Sequence, residues 1–491
     1  MAISAISTDL QVCPILIDGK HQASRGTTHS QINPATGQQS ALIPYCTTEE
    51  VSAAIASAQR AFPAWSATPV LQRARIMFKY RQLLESHAEE LAALVVEEHG
   101  KTHAEALASL GRGLECVEFA AGVPTLMMGE ALPRVGADVD TVSTREPLGV
   151  CAGITPFNFP LMVPLWMFPM AIACGNTFVL KPSERVPRSA VRAAELLYEA
   201  GLPEGVLNVV HGDKVAVDAL LTDPRVKAVS FVGSSPVAKY IYSTAAAHGK
   251  RVQAMGGAKN HSVVMPDCNL KAAVDAVMSS SFGCAGERCV ATSVVVAVGD
   301  IGDKLIAELR KAADAMRVGP GDAPRCDMGP LVTKEHRDRV LKYIDIGEKE
   351  GAKLARDGRN DDAAKKDDGY YVGATIFDDV KPSMRIAKEE IFGPVLSVIR
   401  AKDLDEALQI VNGSEHGNAS SIYTRSGETA KKFTAAVQTG MVGVNLGVPA
   451  PVAIFPFAGW KNSFFGDSHA LGKDAVHFYT ETKVVTSRWP E

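Results

Sequence analysis

The sequence predicts an α/β protein: a parallel sheet with helices on both faces, repeated over more than one domain. Three observations predict it. From residue 149 onward, short apolar and β-branched runs recur: GVCAGITPFN, TFVLKP, VLNVVHG, VKAVSFVGS, RVQAMGG and HSVVMPD. Helical patterns separate several of them, and alternation of this kind reads as buried parallel strands joined by crossover helices. The chain has 491 residues, which at roughly 100–200 residues per domain suggests two or three domains.

The elements follow in order. The N-terminal MAISAISTDLQV has no basic region leading into an apolar block, so it reads as neither a secretory signal nor an Arg-rich transit peptide. CPILIDGKHQ reads as a first strand turning at Asp18-Gly19. TEEVSAAIASAQRAFPAWSA and QRARIMFKYRQLLESHAEELAALVVEEHG carry apolar residues at helical spacing, and SLGRGLECVEFAAG continues as helix. RVGADVDTVSTREPLG (134–149) alternates and is β-branched, the pattern of an exposed strand pair. PLMVPLWMFPMAIACG (160–175) is the most apolar stretch. It is interrupted by Pro164 and Pro169 and is shorter than the ~20 residues a bilayer requires, so it reads as a buried helix start. VATSVVVAV reads as another buried strand, GDKLIAELRKAADAMRVG as a helix closed by glycine, and LARDGRNDDAAKKDDGYY as a solvated surface loop. The tail AVHFYTETKVVTSRW reads as a strand able to pair with those near 134–147, within one chain or between chains. No internal repeat stands out.

Net charge is −4, from 51 basic and 55 acidic residues, which gives no reason to expect nucleic acid or an anionic membrane as partner. Nine cysteines are scattered without a CxxC pair. That argues against a disulfide framework or a metal site and for a reducing, cytoplasmic setting.

Four stretches carry chemistry. VSFVGSSPVAKYI (229–241) reads as strand, tight turn and helix. Gly233 and Ser234 then lie at a helix N-terminus, where free N–H groups can take a phosphate. No GxGxxG occurs there, and taken alone the stretch reads more readily as an ordinary βα turn. FVLKPSE (178–184) ends a strand in Lys181 and Glu184. A carboxylate at that end of a strand could hold a ribose diol and repel a 2′-phosphate, or the two could form an exposed charged pair. In GITPFNFPL (153–161), Asn158 lies between aromatics and before Pro160. Its amide could donate to a developing oxyanion or cap the helix that follows. In FGCAGERCVA (282–291), Cys289 follows directly on Arg288. It is a candidate nucleophile or a buried small hydrophobe.

TPFNFP, LKPSE, FVGSS, FGCAGERC and EEIFGPV (389–395) together resemble the NAD(P)-dependent aldehyde dehydrogenase superfamily, in order and rough spacing, from about residue 15 to the end. The resemblance implies a Rossmann-type NAD-binding domain (1–130 and 148–257), an α/β catalytic domain (258–465) and a small β bridging domain (131–147 and 466–491) that builds a homodimer or homotetramer. It implies that Cys289 is the nucleophile and that Asn158 with the Cys289 N–H forms an oxyanion hole. NAD would lie beside Thr155 and Phe157, with Lys181 and Glu184 at the adenine ribose. Gly233 and Ser234 would sit at the pyrophosphate, and Glu390 and Phe392 at the nicotinamide ribose. Ala238 stands where the family often has glycine. Cys284 lies off the nucleophile position and reads as packing.

Hydrolytic members carry a glutamate in an E-L-G-G-K segment as general base. Here the segment is RVQAMGGAKNH (251–261), with Met255, or Ala254 after a one-residue shift, at the glutamate's place and no acid anywhere in it. Losing a general base costs water attack ~10²–10⁴-fold, whereas a thiolate acceptor such as coenzyme A needs little help, because it can ionise near neutral pH. MGGAKNH, ERC and RGLE (112–115) resemble the coenzyme A-acylating branch, the methylmalonate-semialdehyde dehydrogenases. That resemblance implies that Arg112 and Arg288 contact the substrate's carboxylate. The alternatives are an Arg112–Glu115 pair on a helix surface, and an Arg288 that only lowers the thiol's pKa. The implied reaction is NAD-dependent oxidation and decarboxylation of malonate or methylmalonate semialdehyde to acetyl- or propionyl-coenzyme A, in valine or myo-inositol breakdown. Two rivals remain: a hydrolytic dehydrogenase with a base from elsewhere, and a non-catalytic protein on the same fold.

Overall fold

The computed structural model describes residues 10–366 and 368–489. Residues 1–9, which hold most of the stretch read as lacking a targeting signal, lie outside them.

Two large sheets carry the fold. The first has eight strands, ordered Lys20–Gln22, Ile15–Ile17, Leu207–Val209, Thr177–Lys181, Val150–Ile154, Val226–Val232, Arg251–Met255 and Phe464–Gly466. Five consecutive strands, from Leu207–Val209 to Arg251–Met255 in that order, are parallel, and they are the five apolar runs from GVCAGI to RVQAMGG. Thr177–Lys181 and Val150–Ile154 are buried at every position, as a sheet covered on both faces requires. The strand after Val150–Ile154 lies on one side of it and Val226–Val232 lies on the other. The order therefore reverses at this point, and the crevice beyond the carboxyl ends of these strands is where open α/β sheets take ligands.

The Asp18-Gly19 turn is real: Ile15–Ile17 pairs with Lys20–Gln22, and both turn residues have positive φ, 54° and 71°. Right-handed strand twist favours that two-residue turn, and Gly adopts it without a Cβ penalty. The long helical pattern divides into Val70–Ser86 and Ala88–His99, after Thr48–Ser66 and before His103–Ala121. Thr48–Ser66 and His103–Ala121 each open on a full capping box, Thr47 with Glu50 and Thr102 with Glu105. Met162–Ala173 buries all twelve of its residues. Among the described residues no helix is long and apolar enough to cross a membrane.

The second sheet is ordered Lys353–Arg356, Thr375–Asp378, Val395–Ala401, Thr292–Val298, Asn260–Val264, Ala419–Tyr423 and Met441–Val444, parallel except for its first strand. The polar stretch from Leu354 is thus a loop only in part. Its first residues form an antiparallel edge strand, and Arg356 satisfies the charge there by donating to Asp314 at 2.9 Å and Asp361 at 2.8 Å.

The tail also divides. Gly472–Phe478 is helical, because Ala475, Val476 and Phe478 fall at helical spacing and are buried in the main core. Only Thr480–Arg488 is a strand, pairing at nine positions with Val139–Pro147 of the same chain, which in turn pairs with Ala131–Gly136. The pairing left open from sequence is therefore made within one chain.

Candidate active site

The nucleophile candidate follows a strained turn. Helix Leu270–Phe282 ends at Gly283, and Cys284, Ala285 and Gly286 then adopt φ of 50°, 52° and 74°. A Cβ on Gly286 would lie 2.3 Å from the Gly393 carbonyl, so glycine is required there for space as well as conformation. Three residues later Cys289 is clamped through its backbone: its carbonyl accepts from Asn260 Nδ2 and Asn418 Nδ2, both at 2.8 Å. These asparagines sit at the start of one parallel strand and just before the next. Sequence reasoning missed both. Asn260 lay inside the quoted MGGAKNH segment, and a buried amide there was the available signal.

Asn158 is buried and donates from Nδ2 to the Glu287 carbonyl at 2.9 Å, two residues before Cys289. Helix Met162–Ala173 starts after Leu161 with no side-chain cap, so Asn158 does not cap it. Its own carbonyl accepts from the buried Lys101 Nζ at 2.6 Å. Behind it the Glu287 carboxyl is enclosed, with His336 at 3.5 Å and His99 at 3.8 Å. Burial holds that carboxyl well above the usual carboxylate range.

Partly exposed Cys289 opens on a cavity of about 560 Å³. Its lining is largely apolar, with Phe159, Met162, Trp166 and Phe457, and also carries Arg112, Arg288, Glu105 and Glu115. Arg112 pairs with Glu115 at 2.8 Å and donates to the Pro451 carbonyl. Arg288 pairs with Glu105 at 3.1 Å and donates to the Ser279 carbonyl at 3.3 Å. The Arg112–Glu115 pair anticipated for a helix surface therefore exists, but it lines the cavity that also holds Cys289. Burial, reinforced by the Glu390 charge, pushes the Cys289 thiol up to about 12, while Arg288 pulls it down only weakly. A thiolate made by Arg288 alone is thus not what the geometry provides. Met255 and Ala254 are buried in apolar cores, and the cavity's two carboxylates are both engaged by arginines.

A second, open cleft of about 1270 Å³ receives Ser234, Lys239 and Glu390. The other predicted cofactor residues do not line this cleft; Lys181 ends one strand of the first sheet, and Thr155 and Gly233 directly follow two others. Thr155 follows Val150–Ile154; its N–H donates to the Lys181 carbonyl at 3.1 Å, and its buried hydroxyl has no partner. Lys181 Nζ donates to Glu184 at 2.9 Å. Burial raises the Glu184 pKa, but the Lys181 charge and hydrogen bond outweigh it and hold the carboxyl below its ordinary value. Gly233 and Ser234 lead into helix Ser235–Ala247, with Pro236 in its first turn. The Ser234 side chain does not cap that helix, which leaves its first-turn N–H groups without a side-chain acceptor. Ala238 is fully buried within the helix. Glu390 accepts from the Ala258 N–H at 2.8 Å, and burial pushes its pKa up. Phe392, at φ 61°, meets Phe157 edge to face at 5.8 Å, and its carbonyl accepts from His336 at 2.7 Å. An uncapped helix N-terminus, an orphan hydroxyl and a lysine–carboxylate pair at one switch point fit a dinucleotide. Among the described residues no group of His, Cys, Asp or Glu is placed to hold a metal.

The model of the aldehyde dehydrogenase family matches residues 21–485. The chain belongs to the aldehyde dehydrogenase family. It is 56% identical to a malonate-semialdehyde dehydrogenase of Geobacillus kaustophilus over 99% of this chain and 100% of that one. It is 51% identical to the malonate-semialdehyde dehydrogenase of Pseudomonas aeruginosa, over 97% and 96% of the two chains. Among solved structures it superposes at a TM-score of 0.97 on the methylmalonate-semialdehyde dehydrogenase of Oceanimonas doudoroffii, with 51% identity over 98% and 99% of the chains. The same score relates it, at 48% identity over 99% of both chains, to a Sinorhizobium meliloti protein assigned that activity and solved with NAD. This aldehyde dehydrogenase is accordingly an oxidoreductase with the family's mixed α/β fold, rather than a non-catalytic protein on the same scaffold.

Proposed function

We propose that this aldehyde dehydrogenase oxidises malonate or methylmalonate semialdehyde with NAD and passes the decarboxylated acyl group to coenzyme A. The observation that carries the reading is the cavity at Cys289: two arginines line it together with the thiol, and both of its carboxylates are engaged by those arginines. A guanidinium offers a planar fork to a carboxylate, so Arg112 and Arg288 suit an aldehyde with an acid at its far end. The names of the relatives point to the same substrates.

In this reading the Cys289 thiolate adds to the aldehyde carbon. The Asn158 amide and the Cys289 N–H hold the resulting alkoxide, which expels hydride as the thioester to Cys289 forms. NAD, when bound, supplies the hydride acceptor. Thr155, Phe157, Lys181, Glu184, Gly233, Ser234, Glu390 and Phe392 would hold it, and Glu184 would disfavour a 2′-phosphate. The thioester stabilises the enolate left when the β-carboxylate departs as CO₂, and protonation gives the acetyl or propionyl group. Coenzyme A thiolate then attacks the thioester and releases Cys289.

Sheet membership supports the three-domain division, with 1–130 and 148–257 binding NAD, 258–465 catalytic, and 131–147 with 466–491 bridging. The strand Phe464–Gly466 nevertheless closes the first sheet. Val484, Val485 and Leu132 stay exposed on the three-stranded sheet, which supports assembly of a homodimer or homotetramer through it. We place the enzyme in the cytoplasm, acting in valine or myo-inositol breakdown. The test is a panel of malonate semialdehyde, methylmalonate semialdehyde and propanal with NAD, with and without coenzyme A. Acetyl- and propionyl-coenzyme A with CO₂ are expected from the semialdehydes; free acids as the main products would overturn the proposal.

A further inference from the structure

Glu105 has three partners that no single stretch of sequence brings together. Its Oε1 accepts from the Cys284 N–H at 2.6 Å and from Arg288 Nη2 at 3.1 Å. Its Oε2 accepts from the Thr102 N–H at 3.1 Å, one half of the capping box that opens helix His103–Ala121. Cys284 is the first of the three left-handed residues that lead to the nucleophile. The Arg288 guanidinium lies back against Gly283, where a Cβ would fall 2.5 Å from Nη1. Glu105, Arg288 and Cys289 line one cavity.

We propose that Glu105 is a positioning residue: one carboxylate aims Arg288 into the cavity and ties down the turn that sets Cys289. The aiming role rests on the reading of Arg288 as the partner of the substrate's carboxylate, whereas the role on the turn stands without it. Arg288 carries five N–H donors; Glu105 and the Ser279 carbonyl take one each, and the Cys284 thiol also lies against the guanidinium. The donors left over can meet an incoming carboxylate while Glu105 holds the fork in place. The helix terminus of His103–Ala121 is rigidly capped, so it serves as the anchor from which both the cation and the turn are held. A carboxylate is required rather than an amide, because N–H donors approach both of its oxygens. A glutamine would turn its NH₂ either toward Thr102 or toward Cys284 and Arg288, leaving donor against donor at one end.

The experiment compares the full-length enzyme with Glu105→Gln, Glu105→Ala and Arg288→Leu. It measures KM and the single-turnover burst of NADH with malonate semialdehyde and with propanal, with Tm and NAD binding as controls. Glu105→Gln is nearly isosteric and should melt within about 4 °C of wild type and bind NAD normally. Its burst should slow about tenfold with both aldehydes, and its KM should rise about tenfold for malonate semialdehyde alone, the size expected for lost buried hydrogen bonds. A purely structural role would lower Tm without splitting the two aldehydes. A normal burst in Glu105→Gln overturns the role on the turn, and unchanged aldehyde selectivity overturns the aiming role. Should Glu105→Ala fail to fold, Glu105→Gln carries the test. If Arg288→Leu itself leaves KM for malonate semialdehyde unchanged, the reading of Arg288 fails separately, and the propanal burst alone decides the role of Glu105.

Discussion

At Cys289 burial and the nearby Glu390 charge oppose ionisation, and Arg288 only partly counters them. The sign is therefore upward: without substrate or cofactor the thiol is protonated at neutral pH, and the thiolate fraction grows as pH rises. Iodoacetamide labelling of Cys289 in the cofactor-free enzyme, followed by mass spectrometry, should accelerate with pH and not level off below about pH 9. A plateau near pH 7 would show that Arg288 dominates instead. Cys289→Ala should abolish NADH formation and leave NAD binding intact, since every residue proposed to hold the cofactor is untouched; a variant that keeps a tenth of wild-type turnover contradicts the assignment. Arg112→Leu and Arg288→Leu should each raise KM for malonate semialdehyde at least tenfold and hardly move it for propanal. Truncating one partner of a buried charged pair costs about 2–5 kcal/mol, and that sets the floor. Equal losses with both aldehydes would assign the arginines to packing or to the thiol. Cys289, Asn158 and the two arginines could be nominated from the sequence because each stands in a short motif. Asn418 was not: it reaches Cys289 across 129 residues, and nothing local marks an asparagine whose partner is a distant carbonyl.

Among elements, the turn at 284–286 does the most to place the chemistry. Gly286 has φ 74° and no room for a Cβ against Gly393. Gly286→Ala should therefore cost the ~1–2 kcal/mol of a left-handed Ala and also push the turn from the strand end it packs on. The expected result is a folded enzyme with a lower Tm and a much slower NADH burst, read by differential scanning calorimetry and stopped-flow absorbance. An unchanged burst would mean that the turn does not set Cys289. Parallel strands were legible as elements because continuous apolar runs have few other readings. The edge strand Lys353–Arg356 and the helix Gly472–Phe478 were not. The first satisfies its charges through partners remote in sequence, and the second is too short for its period to stand out beside the strand that follows. The strain at 284–286 was equally hidden, since Cys and Ala carry no sign of a left-handed backbone.

For the whole molecule, two sheets meet with the thiol between them. One holds the switch-point crevice proposed to take the dinucleotide, and the other supplies the strand ends that clamp the Cys289 carbonyl. The architecture was readable from the alternation of runs; the meeting of Glu105, Arg288 and Cys289 at one cavity was not, because it depends on contacts between separate elements. The central claim is that the acyl-enzyme waits for a thiol, since Met255 and Ala254 leave it without a base and arginines engage both cavity carboxylates. The most direct measurement is NADH formation from malonate semialdehyde by rapid mixing, with and without coenzyme A. Without it, one equivalent of NADH per active site should appear in a burst followed by slow turnover, and coenzyme A should accelerate the steady state by about 10²-fold or more. A steady state as fast without coenzyme A as with it would contradict the account.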